Sequence, residues 1–144
     1  WGVFLQCFDA SGAAVGTETQ VNTFTDHNQS GASITALADG GYVVVWTSNG
    51  GQDGSDGGIY AQRFDASGAK AGSETRINNY TTSDQQQPAI TAMADGGYIV
   101  TWYSYYQDGD QGGIYAQRFD ANGMIAHDVI TGNLIGSAWA NYSV

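Results

Sequence analysis

The sequence predicts an all-β fold made of repeated four-stranded antiparallel units of about 55 residues, and three observations carry that expectation. First, the stretch GGIYAQRFD at Gly57–Asp65 returns letter for letter as Gly112–Asp120, and an eroded copy, GVFLQCFD, stands at Gly2–Asp9. Asp9, Asp65 and Asp120 are 56 and 55 residues apart, and Ile34/Ile90, Asp39/Asp95, Trp46/Trp102 and Glu18/Glu74 keep the same step. Second, the periodic runs alternate with period two and are rich in β-branched and aromatic residues, whereas no stretch has the i, i+3, i+4, i+7 spacing of a capped helix. Third, 21 glycines against one proline, many of them in Asp-Gly pairs, supply tight turns between short strands.

With the second copy as frame, strand a is Ala32–Ala38, ended by the turn signal Asp39-Gly40-Gly41. Strand b, Gly41–Ser48, places Tyr42, Val44 and Trp46 on one face and Val43, Val45 and Thr47 on the other, so it should be buried on both. The loop Asn49–Gly58 is too rich in Gly and Asp for regular structure. Strand c is Ile59–Asp65, and strand d is Glu74–Asn78 after a turn at Ala66-Ser67-Gly68. The third copy repeats the order with a at Ala89–Ala94, b at Gly97–Ser104 and c at Gly113–Asp120. The N-terminal copy holds only c, Gly2–Asp9, and d, Glu18–Asn22. After Asp120 the register blurs: 128–131 reads as a last d or an a strand, and 134–144, with Trp139, as a degenerate b. Residues 1–144 thus form one repeat domain with units at about 1–30, 31–86 and 87–144. Sheets buried on both faces make it β-propeller-like, with a three-fold β-prism or a β-trefoil as alternatives. The N-terminal c and d strands should pair with the C-terminal tail or with another copy, because an open apolar edge invites aggregation.

Four basic residues stand against 14 carboxylates, for a net charge of −10. That balance repels phosphate backbones and anionic lipid and argues against nucleic acid and membrane surfaces as partners; carbohydrate, protein surfaces and divalent cations fit it better. There is no apolar run long enough for a membrane helix and no signal-peptide pattern, and the chain starts inside a repeat, as an excised or permuted piece would. A lone cysteine, Cys7, stands where the other copies carry Arg63 and Arg118. It cannot form an internal disulfide, and such thiol avoidance suits a secreted protein.

The pattern DGGYIVTW, then QDG, then GGIYAQRFDANG resembles tandem repeats of very large secreted bacterial proteins of the RTX and adhesin-like kind, and it covers most of residues 3–123. The resemblance implies type I secretion, a secreted or cell-surface location and calcium in the neighbourhood; it implies no activity for the repeat itself. The chain departs from the RTX nonapeptide, since 50–56 reads GGQDGSD where GGxGxD is required.

The loops after strand b gather the densest oxygen ligands, Asp53, Ser55 and Asp56 in one and Asp108 and Asp110 in the other. These are candidates for Ca2+, which takes six to eight hard oxygens; the alternative is that Asp-Gly pairs only make turns. Arg63 and Arg118 recur among Ile and Ala on strand c and should pair internally with neighbouring carboxylates. Gln6, Gln62 and Gln117 should satisfy backbone groups across units. Catalysis has little support: His27 faces Ser83 in the repeat, His127 has no counterpart, and no H-E-x-x-H, G-x-S-x-G or phosphate loop occurs. A carboxylate pair acting on glycosides is the remote enzymatic alternative. One asymmetry between copies suggests a ligand site. Where the second copy has Thr47-Ser48-Asn49-Gly50, the third has Tyr103-Ser104-Tyr105-Tyr106 beside Trp102 and Asp108, and aromatic rings next to polar groups suit a sugar, although tyrosines also line protein interfaces. The sequence therefore points to a non-catalytic extracellular repeat module for adhesion or structural assembly, with carbohydrate binding as the sharper form. A calcium-stabilised domain of a larger secreted protein is the alternative.

Overall fold

In the computed structural model, residues 1–126 are described. They form nine strands and no helix: β1 (Phe4–Phe8), β2 (Ala14–Gln20), β3 (Gln29–Ala36), β4 (Tyr42–Asn49), β5 (Gly57–Phe64), β6 (Thr75–Arg76), β7 (Gln85–Ala92), β8 (Tyr98–Ser104) and β9 (Gly113–Phe119). Three antiparallel sheets result, β1-β2, β3-β4-β5-β6 and β7-β8-β9, called here the first, second and third sheet. The all-β, repeated-sheet expectation holds at this level. The tail segments 128–131 and 134–144 lie outside the described residues, as does His127.

The sheets stack in chain order, and the alternation within each strand sets which side meets which neighbour. Tyr42, Val44, Trp46, Tyr60 and Phe64 point toward the first sheet, where they form one core with Val3, Val21 and Leu5. The opposite face of the same strands, Val43, Val45, Ile59 and Ala61, packs with Leu37 and Ile77 against Tyr98, Val100, Trp102 and Phe119 of the third sheet. Strand β4 is therefore buried on both faces from Val43 to Ser48, as its doubly apolar sequence predicts. Trp46 and Trp102 occupy equivalent places and are 0% and 6% exposed. Each fully buried Val, Ile or Phe contributes about 1.5–3 kcal/mol relative to an exposed one.

Two glycines make the a–b hairpins possible. A Cβ on Gly41 would overlap the carbonyl oxygen of Phe64, and one on Gly97 that of Phe119, so the turn backbone can lie against strand c only without a side chain. The D-A-S/N-G turns that follow strand c are closed by their first residue. Asp65 Oδ1 accepts from the Ser67 amide, the Ser67 hydroxyl and the Ala69 amide at 2.6–3.0 Å. Asp9 does the same with Ser11 and Ala13, and Asp120 with the amides of Asn122 and Met124.

Several boundaries differ from the sequence reading. Strand a begins at Gln29 and Gln85 rather than at Ala32 and Ala89, because a bulge carries the ladder past Ser30/Ser33 and past Gln86/Ala89. Gly31 (φ 63°) and Gln87 (φ 55°) sit in those bulges, and Pro88, which has no N–H to give, is accommodated there. Strand d is short in the second sheet, where β6 is only Thr75–Arg76 after the positive-φ Gly72 (φ 82°). In the first sheet β2 starts earlier than expected, at Ala14. Strands β1 and β2 pair with each other, and the other edge of β1 faces no strand among the described residues.

Candidate functional site

Two regions gather the chemistry-bearing residues: the interfaces between sheets, and the loops at one rim where strand b passes to strand c.

At the interfaces the structure brings together residues that the sequence reading had not singled out. Asn22 and Asn78, 3% and 1% exposed, stand two residues past the ends of strands β2 and β6 in successive units. Asn78 Oδ1 accepts from the Ile59 amide at 2.7 Å, and its Nδ2 donates to the Tyr80 carbonyl at 2.8 Å and to Gln85 Oε1 at 2.9 Å. Asn22 repeats the set: it accepts from the Val3 amide at 2.8 Å and donates to the Phe24 carbonyl and to Gln29 Oε1. Each Asn thus ties strand c of its own sheet to the first residue of the next one. Gln29 and Gln85 complete the clamp by donating to the carbonyls of Asp26 and of Thr82 and Ser83. The sequence does hold a signal for it, since V-N and I-N are each followed by Gln seven residues on.

Arg63 and Arg118 pair with carboxylates as expected, Arg63 with Asp39 at 2.5 Å and Arg118 with Asp95. Arg63 also reaches the next sheet, donating from Nη1 to the Ala121 carbonyl at 2.7 Å. Hydrogen bonds, those from the Gly41 amide and Arg63 foremost, hold the Asp39 carboxyl below its ordinary range, and the Gly97 amide and Arg118 do the same for Asp95. Gln6, Gln62 and Gln117 do satisfy backbone carbonyls, but within their own units: each donates to the carbonyl of the next residue, and Gln62 also to Gly72. The expected bonds across units are not what these glutamines make; their strand-c neighbour and the adjoining d segment lie closer than the next sheet.

A groove between the β2–β3 connection and the second sheet, about 490 Å3 and lined by Thr23, Gln52, Gln62, Lys70 and Glu74, is crossed by Glu74. Its carboxylate accepts from the Thr23 amide at 2.7 Å and from Gln52 Nε2.

In the rim loops, three of the candidate calcium ligands, Asp53, Asp108 and Asp110, bond amides of their own turns. Asp53 Oδ1 accepts from the Ser55 amide at 3.2 Å and its Oδ2 meets Asn78 Nδ2 at 3.4 Å. Asp56 is exposed, and its carbonyl accepts from the amides of Gly50 and Gly51. In the third unit Asp108 Oδ1 accepts from the Asp110 amide and Asp110 Oδ1 from the Gln111 amide. No three His, Cys, Asp or Glu side chains converge among the described residues.

The aromatic candidates divide. Trp102 belongs to the core between the second and third sheets, so its ring is not available to stack on a ligand at the rim. Tyr103, Tyr105 and Tyr106 do assemble. The first two rings meet edge to face at 4.8 Å, and Tyr105 and Tyr106 lie 6.3 Å apart. Gln86 Nε2 donates to the Tyr105 hydroxyl at 3.2 Å, and the Tyr80 hydroxyl donates to the Tyr106 carbonyl at 3.3 Å. Tyr106 is 57% exposed and holds a positive φ of 59°, a conformation uncommon for a bulky residue.

Compared with known proteins, the chain matches no family model, and no curated protein matches it. Among solved structures, the endo-arabinase from Bacteroides thetaiotaomicron is similar at a TM-score of 0.48 and 12% identity. That match covers 92% of this chain and 48% of the endo-arabinase chain, so the chain spans about half the length of that structure.

Proposed function

We propose that the chain is a non-catalytic stacking module for extracellular adhesion or structural assembly, its sheets following one another in the manner of propeller blades. One observation carries this reading: the same interface occurs twice. Aliphatic residues of strand c, with Val21 or with strand b, meet the aromatic face of the next sheet, and an Asn–Gln clamp locks each junction. A packing that repeats by one operation is a device for adding units, and its stability grows by one interface per unit. A closed propeller needs at least four blades, so three sheets would be part of a ring. The extracellular setting rests on the acidic, thiol-poor composition and on the repeat resemblance.

The test is to lengthen the chain by duplicating residues 29–84 in tandem. The longer protein should fold, with a higher denaturation midpoint than the parent. A lengthened chain that is less stable than the parent would overturn the reading.

Carbohydrate binding is a second reading, supported by the Tyr103-Tyr105-Tyr106 cluster. Glycan screening of the parent beside a Tyr105→Ala, Tyr106→Ala double variant decides it: sugar bound by the parent and lost in the variant supports the site, and a parent that binds no glycan removes it.

A further inference from the structure

We infer that the two end faces of the stack are docking surfaces for each other, so that a second copy of this chain seats its first sheet on the outer face of the third. This rests on the stacking reading and names its partner. At each internal junction the earlier sheet presents small aliphatic side chains and the later sheet presents aromatic ones: Val3, Leu5 and Val21 meet Tyr42, Trp46, Tyr60 and Phe64, and Val43, Val45, Ile59 and Ala61 meet Tyr98, Trp102 and Phe119. Among the described residues the stack ends with one face of each kind. The outer face of the third sheet carries Ile99, Ile114 and Ala116 at the positions of Val43, Ile59 and Ala61. Ile59 is fully buried, whereas Ile114 is 73% exposed. The outer face of the first sheet carries Phe4 and Phe8 at the positions of Tyr60 and Phe64, and they are 53% and 63% exposed. The third sheet's outer face, with Thr101 at the place of Val45, and the first sheet's outer face, which has the strand-c aromatics but among the described residues no strand b to match Tyr42 and Trp46, are therefore of the same two kinds as the sides of the internal junctions.

A polar group points the same way. Arg63 spends one arm on Asp39 and the other on the Ala121 carbonyl of the next sheet's turn. Among the described residues its counterpart Arg118 bonds only Asp95, and its buried Nε finds no partner there. Ala121 stands second in the D-A-N-G turn, as Ala10 does in the D-A-S-G turn of the first sheet. Docking a second copy by the internal operation brings its Ala10 carbonyl to Arg118 as Ala121 is brought to Arg63. The contact is heterologous, face against unlike face, so it closes into rings if the rotation per sheet permits and otherwise runs on as filaments. Each copy carries a net charge of −10, so association should strengthen as salt screens the repulsion.

The experiment is sedimentation of the full chain over a concentration series at low and moderate salt, beside two single-face variants, Ile114→Asp and Phe8→Asp. Both side chains are largely exposed, so circular dichroism and melting should match the parent. The parent should associate, and more so in salt. Each variant alone should be monomeric, with affinity reduced roughly a hundredfold. Mixed, the two variants should form a capped dimer and nothing larger, through the one intact pair of faces; Arg118→Ala should weaken the parent about tenfold. Self-association of either single variant would mean that like faces meet, and overturns the proposal. A monomeric parent overturns it too, and a thiol probe at Ile114→Cys in a Cys7→Ser background then shows whether residues 127–144 of the same chain cover the face. The tandem-duplication test is unaffected by either result, so the stacking reading and the choice of partner fail separately.

Discussion

At the scale of single residues, the fold depends on side chains whose removal leaves a backbone group stranded. Asn78→Ala strips the acceptor from the Ile59 amide and a donor from Gln85 Oε1, both at buried positions. Leaving such groups unpaired costs about 1–3 kcal/mol each. We expect a loss of about 2–4 kcal/mol in urea unfolding, whereas Asn79→Ala, at the exposed neighbour, should move the midpoint little. Gly41→Ala tests the reverse case, an atom too many. The new Cβ would fall on the Phe64 carbonyl, and overpacking against backbone costs about 1–3 kcal/mol. Gly97→Ala should behave alike at the Phe119 carbonyl, and substitutions without effect would show that the hairpin does not press on strand c.

At the scale of elements, turns and stacked aromatic pairs impose opposite pH limits. The carboxyls of Asp9 and Asp65 are held below the ordinary aspartate value of 3.8, chiefly by the Ser11 and Ser67 hydroxyls with amides of the same turns; those of Asp39 and Asp95 are lowered as described above. A group whose pKa falls on folding contributes stability above its unfolded value and loses it as pH drops through the folded one. Stability should therefore decline below about pH 4, and Asp65→Asn, which keeps an acceptor oxygen but cannot ionise, should flatten the acid limb. Burial instead pushes Tyr42, Tyr60 and Tyr98 up to about 12, with Tyr42 and Tyr98 stacked on Phe64 and Phe119 at 4.9 and 5.0 Å. Their contribution is complete below pH 10 and is lost as pH rises toward 12. Absorbance titration should show part of the nine tyrosines ionising late and together with unfolding; titration of all of them near 10 while the chain stays folded would contradict the packing. Strand b, strand c and the Asp-Gly turns were legible in the sequence because each is a local pattern. The Asn–Gln clamp left only a faint mark, the step of seven residues from Asn22 to Gln29 and from Asn78 to Gln85, because its members lie in different sheets and pair through side chains rather than through a strand pattern. Trp102 was misplaced as a rim ligand for a related reason: neighbouring letters on a strand alternate between faces, so Trp102 points to the core and Tyr103 away from it.

At the scale of the whole molecule, the position of a sheet in the stack should govern how firmly it is held. Among the described residues the second sheet is covered on both faces, the third on one, and the first is a two-stranded hairpin whose β2 is exposed along its full length. In a chain whose units touch only their neighbours, local opening is cheapest where one junction is lost and dearest where two are. Native-state hydrogen exchange should accordingly be slowest in β4 and β5, intermediate in β8, and fastest in β2. Truncating the middle of the stack should also cost more than truncating its end: Val45→Ala, fully buried between sheets, removes packing at a junction and should cost about 1–3 kcal/mol, while Ile114→Ala on the open outer face should cost well under that in the monomer. Under conditions that favour association the order should change, because a docked copy converts the third sheet from an end into a middle. Amide protection of β8 and β9 should then rise toward that of β4 and β5, and protection of β1 should rise with it. Protection that is uniform across the three sheets, or that ignores protein concentration while the chain associates, would show that the sheets are not held by this one-dimensional packing.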